Sequence, residues 1–163
     1  MAFDAFIKID GIDGESMDGK HQGWIELVSY GCGLTQAIST TASSAGGASA
    51  ERANFSDFSF TKELDLASPL LAQACADGTH INEIAVEICR AGTEKIKFME
   101  YKLSNCLISS VITNGTGEGN LPTESVTVNF GKINWAYTQQ KREGGGAAGN
   151  SAAGWDLQQN CKM

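Results

Sequence analysis

The sequence predicts a mainly β protein, a barrel or a sandwich, with one α-helix on its flank. Most of the chain alternates apolar and polar residues at a period of two, the spacing that sends successive side chains to opposite faces of a strand. One stretch breaks the rhythm. In FSFTKELDLASPLLAQACADGTHI, residues 58–81, a strand pattern with Phe58 and Phe60 on one side runs into a helix over about 68–77. Ser68 offers an N-cap oxygen, Pro69 stands where the first turn needs no N–H donor, and Gly78 suits the left-handed residue that ends a helix. Leu70, Leu71, Ala74 and Cys75 fall on one face, so the helix buries a stripe against a larger body. Third, 19 Gly against 2 Pro favours tight turns, strand kinks and flexible loops over rigid linkers.

The first strand is expected over residues 2–10, with Phe3, Ala5, Ile7 and Ile9 opposite Asp4, Phe6, Lys8 and Asp10. The acidic turn GIDGESMDGKHQG follows, then a strand over 24–36 in which Gly31 and Gly33 mark a kink or a close approach of another chain. Residues 39–50 contain only Ser, Thr, Ala and Gly, too little apolar surface to fold alone. The segment is either a flexible spacer or an arm that orders against a partner. A strand over 54–62 leads to the helix. Beyond it, Ile84, Val86 and Ile88 share a face, Ala91-Gly92 forms a hairpin turn, and a long returning strand shifts its apolar phase near Met99. In 123–138 the phase flips again, from Val126, Val128 and Phe130 to Ile133, Trp135 and Tyr137. That flip at Gly131-Lys132 demands a bulge or a sharp bend, as at a barrel corner. A Gly/Ala-rich loop over 140–154 and a short terminal strand, WDLQQNC, complete the chain.

Residues 1–163 are expected to form a single domain, long enough to bury a core without staples. The formal net charge of −7 excludes the clustered Lys and Arg that a polyphosphate or an anionic membrane surface requires, so neither nucleic acid nor membrane is an expected partner. No apolar run approaches the roughly 20 residues of a membrane helix. The 5 cysteines at 32, 75, 89, 106 and 161 lack paired spacing and fit reduced cytosolic thiols. The start of the chain, MAFDAFIKIDG, does not have the form of a cleavable signal. The expectation is a protein made in the cytosol that leaves the cell, if it does, by a route reading no such signal.

No constellation carries chemistry. His21 and His80 both lie in turns, and the cysteines read as small apolar core residues, so a Cys–His nucleophilic pair has no local signature. Neither residue type shows zinc-ligand spacing. Asp10, Asp13, Glu15 and Asp18 crowd one loop, but Ile12 and Gly14 stand where a calcium loop needs oxygen donors. GTGEGN at 115–120 precedes a strand, which leaves no helix N-terminus for a phosphate. Asn114 begins a glycosylation sequon that is idle outside the secretory pathway. No catalytic, cofactor-binding or metal residue is assigned, and no enzyme activity is expected.

FIKIDGIDGES, FSFTKELDLASPLLAQACADGTH, LISSVITNG, LPTESVTVNFGKINWAYT and GWDLQQN, in this order, resemble the haemolysin-coregulated protein (Hcp) family of type VI secretion systems over essentially the whole chain. The resemblance implies a small β-barrel of antiparallel strands with one flanking helix, at about 68–77, and an extended loop. It implies homo-hexameric rings that stack into the exported inner tube, with the spike protein, the contractile sheath and lumenal effector proteins as partners, and no cofactor. It places the ring-stacking loop at 39–52, with Thr40, Thr41, Ser43, Ser44, Gly46, Gly47, Ser49, Glu51 and Arg52 as its contact candidates. It also places Gly31, in LVSYGCG, where the family carries a small residue facing lumen and cargo; a backbone kink remains the other reading of that glycine. The alternatives are a β-barrel module binding a small ligand or carbohydrate, in which Trp24, Trp135 and Trp155 line a cleft, and a phage-type tail tube subunit.

Overall fold

A computed structural model describes residues 2–39, 49–144 and 146–163. Among them the chain runs β1 (Phe3–Ile9), β2 (Ile25–Leu27), β3 (Ser29–Gly31), β4 (Leu34–Ser39), β5 (Ser49–Phe55) and β6 (Phe58–Glu63). The helix α1 (Ser68–Asp77) follows, then β7 (Ile81–Arg90), β8 (Lys97–Asn114), β9 (Thr123–Asn129), β10 (Lys132–Gln140), β11 (Ala147–Asp156) and β12 (Cys161–Lys162).

Strand pairing closes on itself. β1 pairs with β2, β3 with β6, β6 with β9, β9 with β8, β8 with β7 and β7 with β1, all antiparallel. The step from β2 to β3 is made at Val28, whose N–H donates to Thr61 O at 2.7 Å. This circuit is the small barrel, and full pairing removes most of its open edges. β10 continues along β8 above β9 and carries β11 and β12 away from the barrel as a flap.

The barrel corner lies where two irregularities face each other. Asn105 takes φ 55, a left-handed conformation that Asn tolerates better than most residues. There the inward phase of β8 changes from Leu103 to Cys106 and Ile108. Opposite, the chain breaks between β9 and β10, and the Gly131 N–H is shared between Ser104 O at 3.0 Å and Asn105 O at 3.2 Å. The flip at Gly131 is therefore a corner. The long strand breaks twice: beside Met99, where Ile88 pairs with Met99 and Cys89 with Lys97 so that Phe98 is skipped, as the apolar phase leads one to expect, and again at Asn105, which the apolar count alone does not reveal.

The core fills the barrel. Ile7, Ile25, Phe58, Ile84, Val86, Leu103, Val126, Val128 and Ile133 have no exposed surface, each burial contributing about 1.5–3 kcal/mol. α1 packs against β8 and is led by Leu71, fully buried, and Ala74. Leu70 is 43% exposed and leaves the expected stripe, since positions 71, 74 and 75 already occupy the inward face. Gly78 ends the helix with φ 67 as expected.

Ser68 is not the N-cap. Ala67 holds that position without a side-chain cap, while Ser68 Oγ donates to Glu124 Oε2 at 2.8 Å and accepts from Asp65 N and Lys62 Nζ. Tertiary partners have claimed the hydroxyl.

Other boundaries differ from expectation for similar reasons. The strand expected over 24–36 divides at Val28 and again at Cys32-Gly33, and that expected over 54–62 divides at Ser56-Asp57. Of the Gly/Ala-rich stretch expected as a loop over 140–154, Gln140 ends β10, and from Ala147 the chain is β11, paired with β10 along its length. Small residues give no apolar alternation to read, yet they form a strand once a neighbour offers its backbone. In the terminal segment, Trp155 and Asp156 end β11, and a turn passing through Asn160 at φ 54 precedes Cys161. Of the expected extended loop over 39–52, Ser39 closes β4 and residues 49–52 belong to β5, and the two strands pair antiparallel.

Candidate functional site

Alternation gives the wall formed by β3, β6, β9 and the end of β8 two unlike faces. Phe58, Phe60, Val126 and Val128 point into the core, and Tyr30 stacks on Phe58 with centroids 6.2 Å apart. Their neighbours form the opposite face. Gly31 pairs with Ser59, Ser59 with Thr127 and Thr127 with Ser110, while Ser29 pairs with Thr61 and Thr61 with Ser125. Gly31 thus lies in a field of hydroxyls. Ser110 Oγ and Ser109 Oγ are 2.8 and 2.6 Å from Thr127 Oγ1, and Ser59 Oγ donates to Gly31 O at 3.3 Å. Carboxylates stand at both ends of this face: Asp57 accepts from Ser109 Oγ at 2.7 Å and Asn129 Nδ2 at 2.9 Å, and Glu63, opposite Thr123, ends β6.

Between those ends the face offers hydroxyls, which hydrogen-bond water and small polar groups. A Cβ on Gly31 would stand 3.0 Å from Ser59 Oγ, so the position sits close against its neighbour.

The candidate stacking arm is the β4–β5 hairpin. Ser56 fixes its base by donating N–H and Oγ–H to Gly33 O at 3.0 and 2.9 Å. The Arg52 guanidinium donates to Leu157 O at 2.6 Å, tying the arm to its own barrel flap. Phe55 packs on Phe130 and Trp135, while Leu34 and Ile38 are exposed. Of the nine contact candidates, Ser49, Glu51 and Arg52 lie on β5. Thr40, Thr41, Ser43, Ser44, Gly46 and Gly47 lie outside the described residues.

A third feature was hidden from sequence reasoning. His21 is buried in the acidic turn, stacked on Phe6 at 4.1 Å and edge-on to Trp24 at 4.9 Å. Its Nδ1 is 2.7 Å from Asp18 Oδ1 and its Nε2 is 2.7 Å from Glu87 Oε2, with Cys89 Sγ 3.9 Å away. Phe6, assigned to the polar side of β1, belongs to this small second core. A histidine and a cysteine do meet, but burial first, then the charges of Glu87 and Asp18, push the Cys89 thiol up to about 11. Burial likewise pushes Cys106 up to about 12. Thiols held protonated in this way are poor nucleophiles.

The remaining candidates do not come together around a common point. Glu15 Oε1 accepts from Leu66 N at 2.9 Å, whereas Asp18 serves His21 and Lys95. His80 is exposed in the turn after α1. Trp24 packs on His21 and Trp135 on Phe55, two separate places. No helix among the described residues is long and apolar enough to cross a membrane.

The class of protein is a small antiparallel barrel with a separate two-stranded β4–β5 sheet and a hydroxyl-rich wall. Comparison with known proteins gives the family. A family model described as "Type VI secretion system effector, Hcp" matches residues 6–137. The Protein hcp1 of Pseudomonas aeruginosa is 37% identical over 161 residues, covering 98% of both chains. A solved structure of a type six secretion system protein superposes with TM-score 0.93 at 34% identity, covering 99% of this chain and 100% of the other. Hcp1 from Salmonella typhimurium gives TM-score 0.81 at 28% identity, with the same coverage. The chain belongs to the Hcp family and is a structural tube subunit of the type VI secretion system.

Proposed function

We propose that this chain assembles into homo-hexameric rings that stack into a hollow tube, with the hydroxyl face around Gly31 lining the lumen. The observation that carries this reading is the chemistry of that face. A channel that must hold protein cargo and then release it needs a hydrated surface without apolar patches, and the hydroxyls around Gly31 provide one. Glycine there leaves the lumen unobstructed. The β4–β5 arm reaches the next ring, with residues 39–52 as its contact and Glu51 contributing polar groups. Arg52, engaged by Leu157, holds the arm's base.

Self-association is also supported by the flap. β12 covers only Trp155 and Asp156 of the outer edge of β11, and an edge rich in Gly and Ala allows close approach by a neighbouring chain. The other partners are the spike, the contractile sheath and small effector proteins carried in the lumen. The subunit performs no bond-making. It waits in the cytoplasm and leaves with the tube when the sheath contracts, by a route that needs no cleavable signal.

Native mass measurement and negative-stain electron microscopy of the purified full chain test the assembly. Six-fold rings are expected, and a lone subunit at every concentration and ionic condition overturns the reading. Deletion of residues 40–50 is expected to leave rings and abolish tubes; tubes of normal length refute the stacking role. Gly31→Gln is expected to assemble but to lose cargo protection, and undiminished protection makes Gly31 a backbone kink only.

A further inference from the structure

We propose that His21, Glu87 and Cys89 form a binding site for a borderline divalent metal ion of the Zn2+ type, with Asp18 as the carboxylate that orients the imidazole. The ligand atoms lie within 4.8 Å of one another. Glu87 and Cys89 are two residues apart on β7 and so project from one strand face, and the acidic turn folds back to place His21 over them. Ligand bonds of about 2.0–2.3 Å put neighbouring donors of a tetrahedral zinc about 3.3–3.8 Å apart. The present separations from His21 Nε2, 2.7 Å to Glu87 and 3.9 Å to Cys89, bracket that range.

Three features set the cluster apart from an ordinary ion pair. Asp18 accepts the Nδ1 proton, so Nε2 is the nitrogen turned toward the other two donors, the arrangement in which a carboxylate fixes a metal-binding histidine. The donor set of nitrogen, sulfur and one carboxylate oxygen suits zinc or cobalt and not the all-oxygen preference of magnesium or calcium. Phe6 and Trp24 wall the imidazole, while Glu87 retains partial exposure and gives an entry path.

The charges around the site suit a cation: Asp18 and Glu87 stand at either side of the ring, each with an oxygen 2.7 Å from a ring nitrogen. Lys95, bridging Asp18 and Asp4, and Lys97, bridging Glu87 and Glu100, keep their partners.

The test uses Co2+ as the probe, on the full chain carrying Cys161→Ser to remove the exposed thiol. After exhaustive chelation and dialysis, one equivalent of Co2+ per chain is expected to give a thiolate-to-cobalt charge-transfer band. Adding Cys89→Ser is expected to abolish the band, while Cys75→Ser leaves it. Glu87→Gln, a nearly isosteric change at a partly exposed side chain, is expected to weaken cobalt binding at least tenfold and decides the matter should Cys89→Ser fail to fold. Absence of the band at stoichiometric cobalt, its survival in Cys89→Ser, or unchanged affinity in Glu87→Gln overturns the site.

Discussion

Lys62 Nζ lies 2.7 Å from Glu124 Oε2 across paired strands β6 and β9, and neither side chain is more than 3% exposed. Asp65 Oδ1 takes a second Nζ donor at 2.7 Å, and Ser68 Oγ and Glu63 O complete the shell at 3.0 Å. These contacts bind the barrel wall to the segment that starts α1. Lys62→Met removes the one ammonium that pairs with Glu124 among the described residues and is expected to destabilise the fold by about 3–5 kcal/mol, because a buried carboxylate loses its counter-charge. The double variant Lys62→Met, Glu124→Leu is expected to recover much of that loss. Chemical denaturation measures both, and a single variant as stable as the parent contradicts the account.

The docked face of α1 gives a sharper comparison between adjacent leucines. Leu71 has no exposed surface and Leu70 is 43% exposed. Leu71→Ala is expected to cost about 2–5 kcal/mol through lost burial and a residual cavity. Leu70→Ala is expected to stay within about 0.5 kcal/mol of the parent. Reversal of that order in denaturation midpoints would place the helix in another orientation.

Much of this fold was legible in local patterns, and its misreadings share one cause. Pro69 and Gly78 bracket α1 because their backbone constraints act without tertiary help. The phase flip at Gly131 was visible because Val126, Val128 and Ile133 are all strongly apolar and all buried. Ser68 was misassigned because Lys62 and Glu124 compete for its hydroxyl. β11 carries no strand signal because Ala, Gly, Ser and Asn give no apolar periodicity, and pairing with β10 makes the segment a strand. The His21 cluster has no sequence signature, because its histidine and glutamate stand 66 residues apart. Gly31 could be placed from its strand, whereas the hydroxyl field around it required the registers of four strands.

The flap carries its own pH signature. Asp156 Oδ1 accepts N–H groups from Gln159 at 3.0 Å and Gln158 at 2.9 Å, and Lys132 Nζ lies 3.5 Å from the other oxygen. The Gln159 N–H foremost, then Gln158 and the Lys132 charge, hold the carboxyl below its ordinary value of 3.8. A depressed folded-state value stabilises the fold above the unfolded value, and that stability disappears as pH falls through the folded one. Asp156→Asn, which keeps an acceptor and loses the charge, is therefore expected to melt lower than the parent at neutral pH. The gap should close as pH falls below 3.8. Thermal melts across that range check it, and a gap independent of pH assigns the effect to geometry alone.

Assembly must also work against charge. Six copies at −7 each give a ring of about −42, and stacking brings such rings into contact. Part of the acidity is concentrated beside exposed apolar surface, where Glu15, Glu26, Glu63 and Asp65 surround Met17, Val28, Leu64 and Leu121. Added salt shortens the reach of the repulsion, to about 10 Å at 0.1 M, and leaves apolar contacts largely intact. Tube formation by the purified chain is therefore expected to be weak at low ionic strength and to increase as salt is raised. Light scattering and electron microscopy over a salt series follow it at fixed protein concentration. Equal assembly at both extremes would mean that the stacked faces are complementary in charge, because only then does screening remove as much attraction as repulsion.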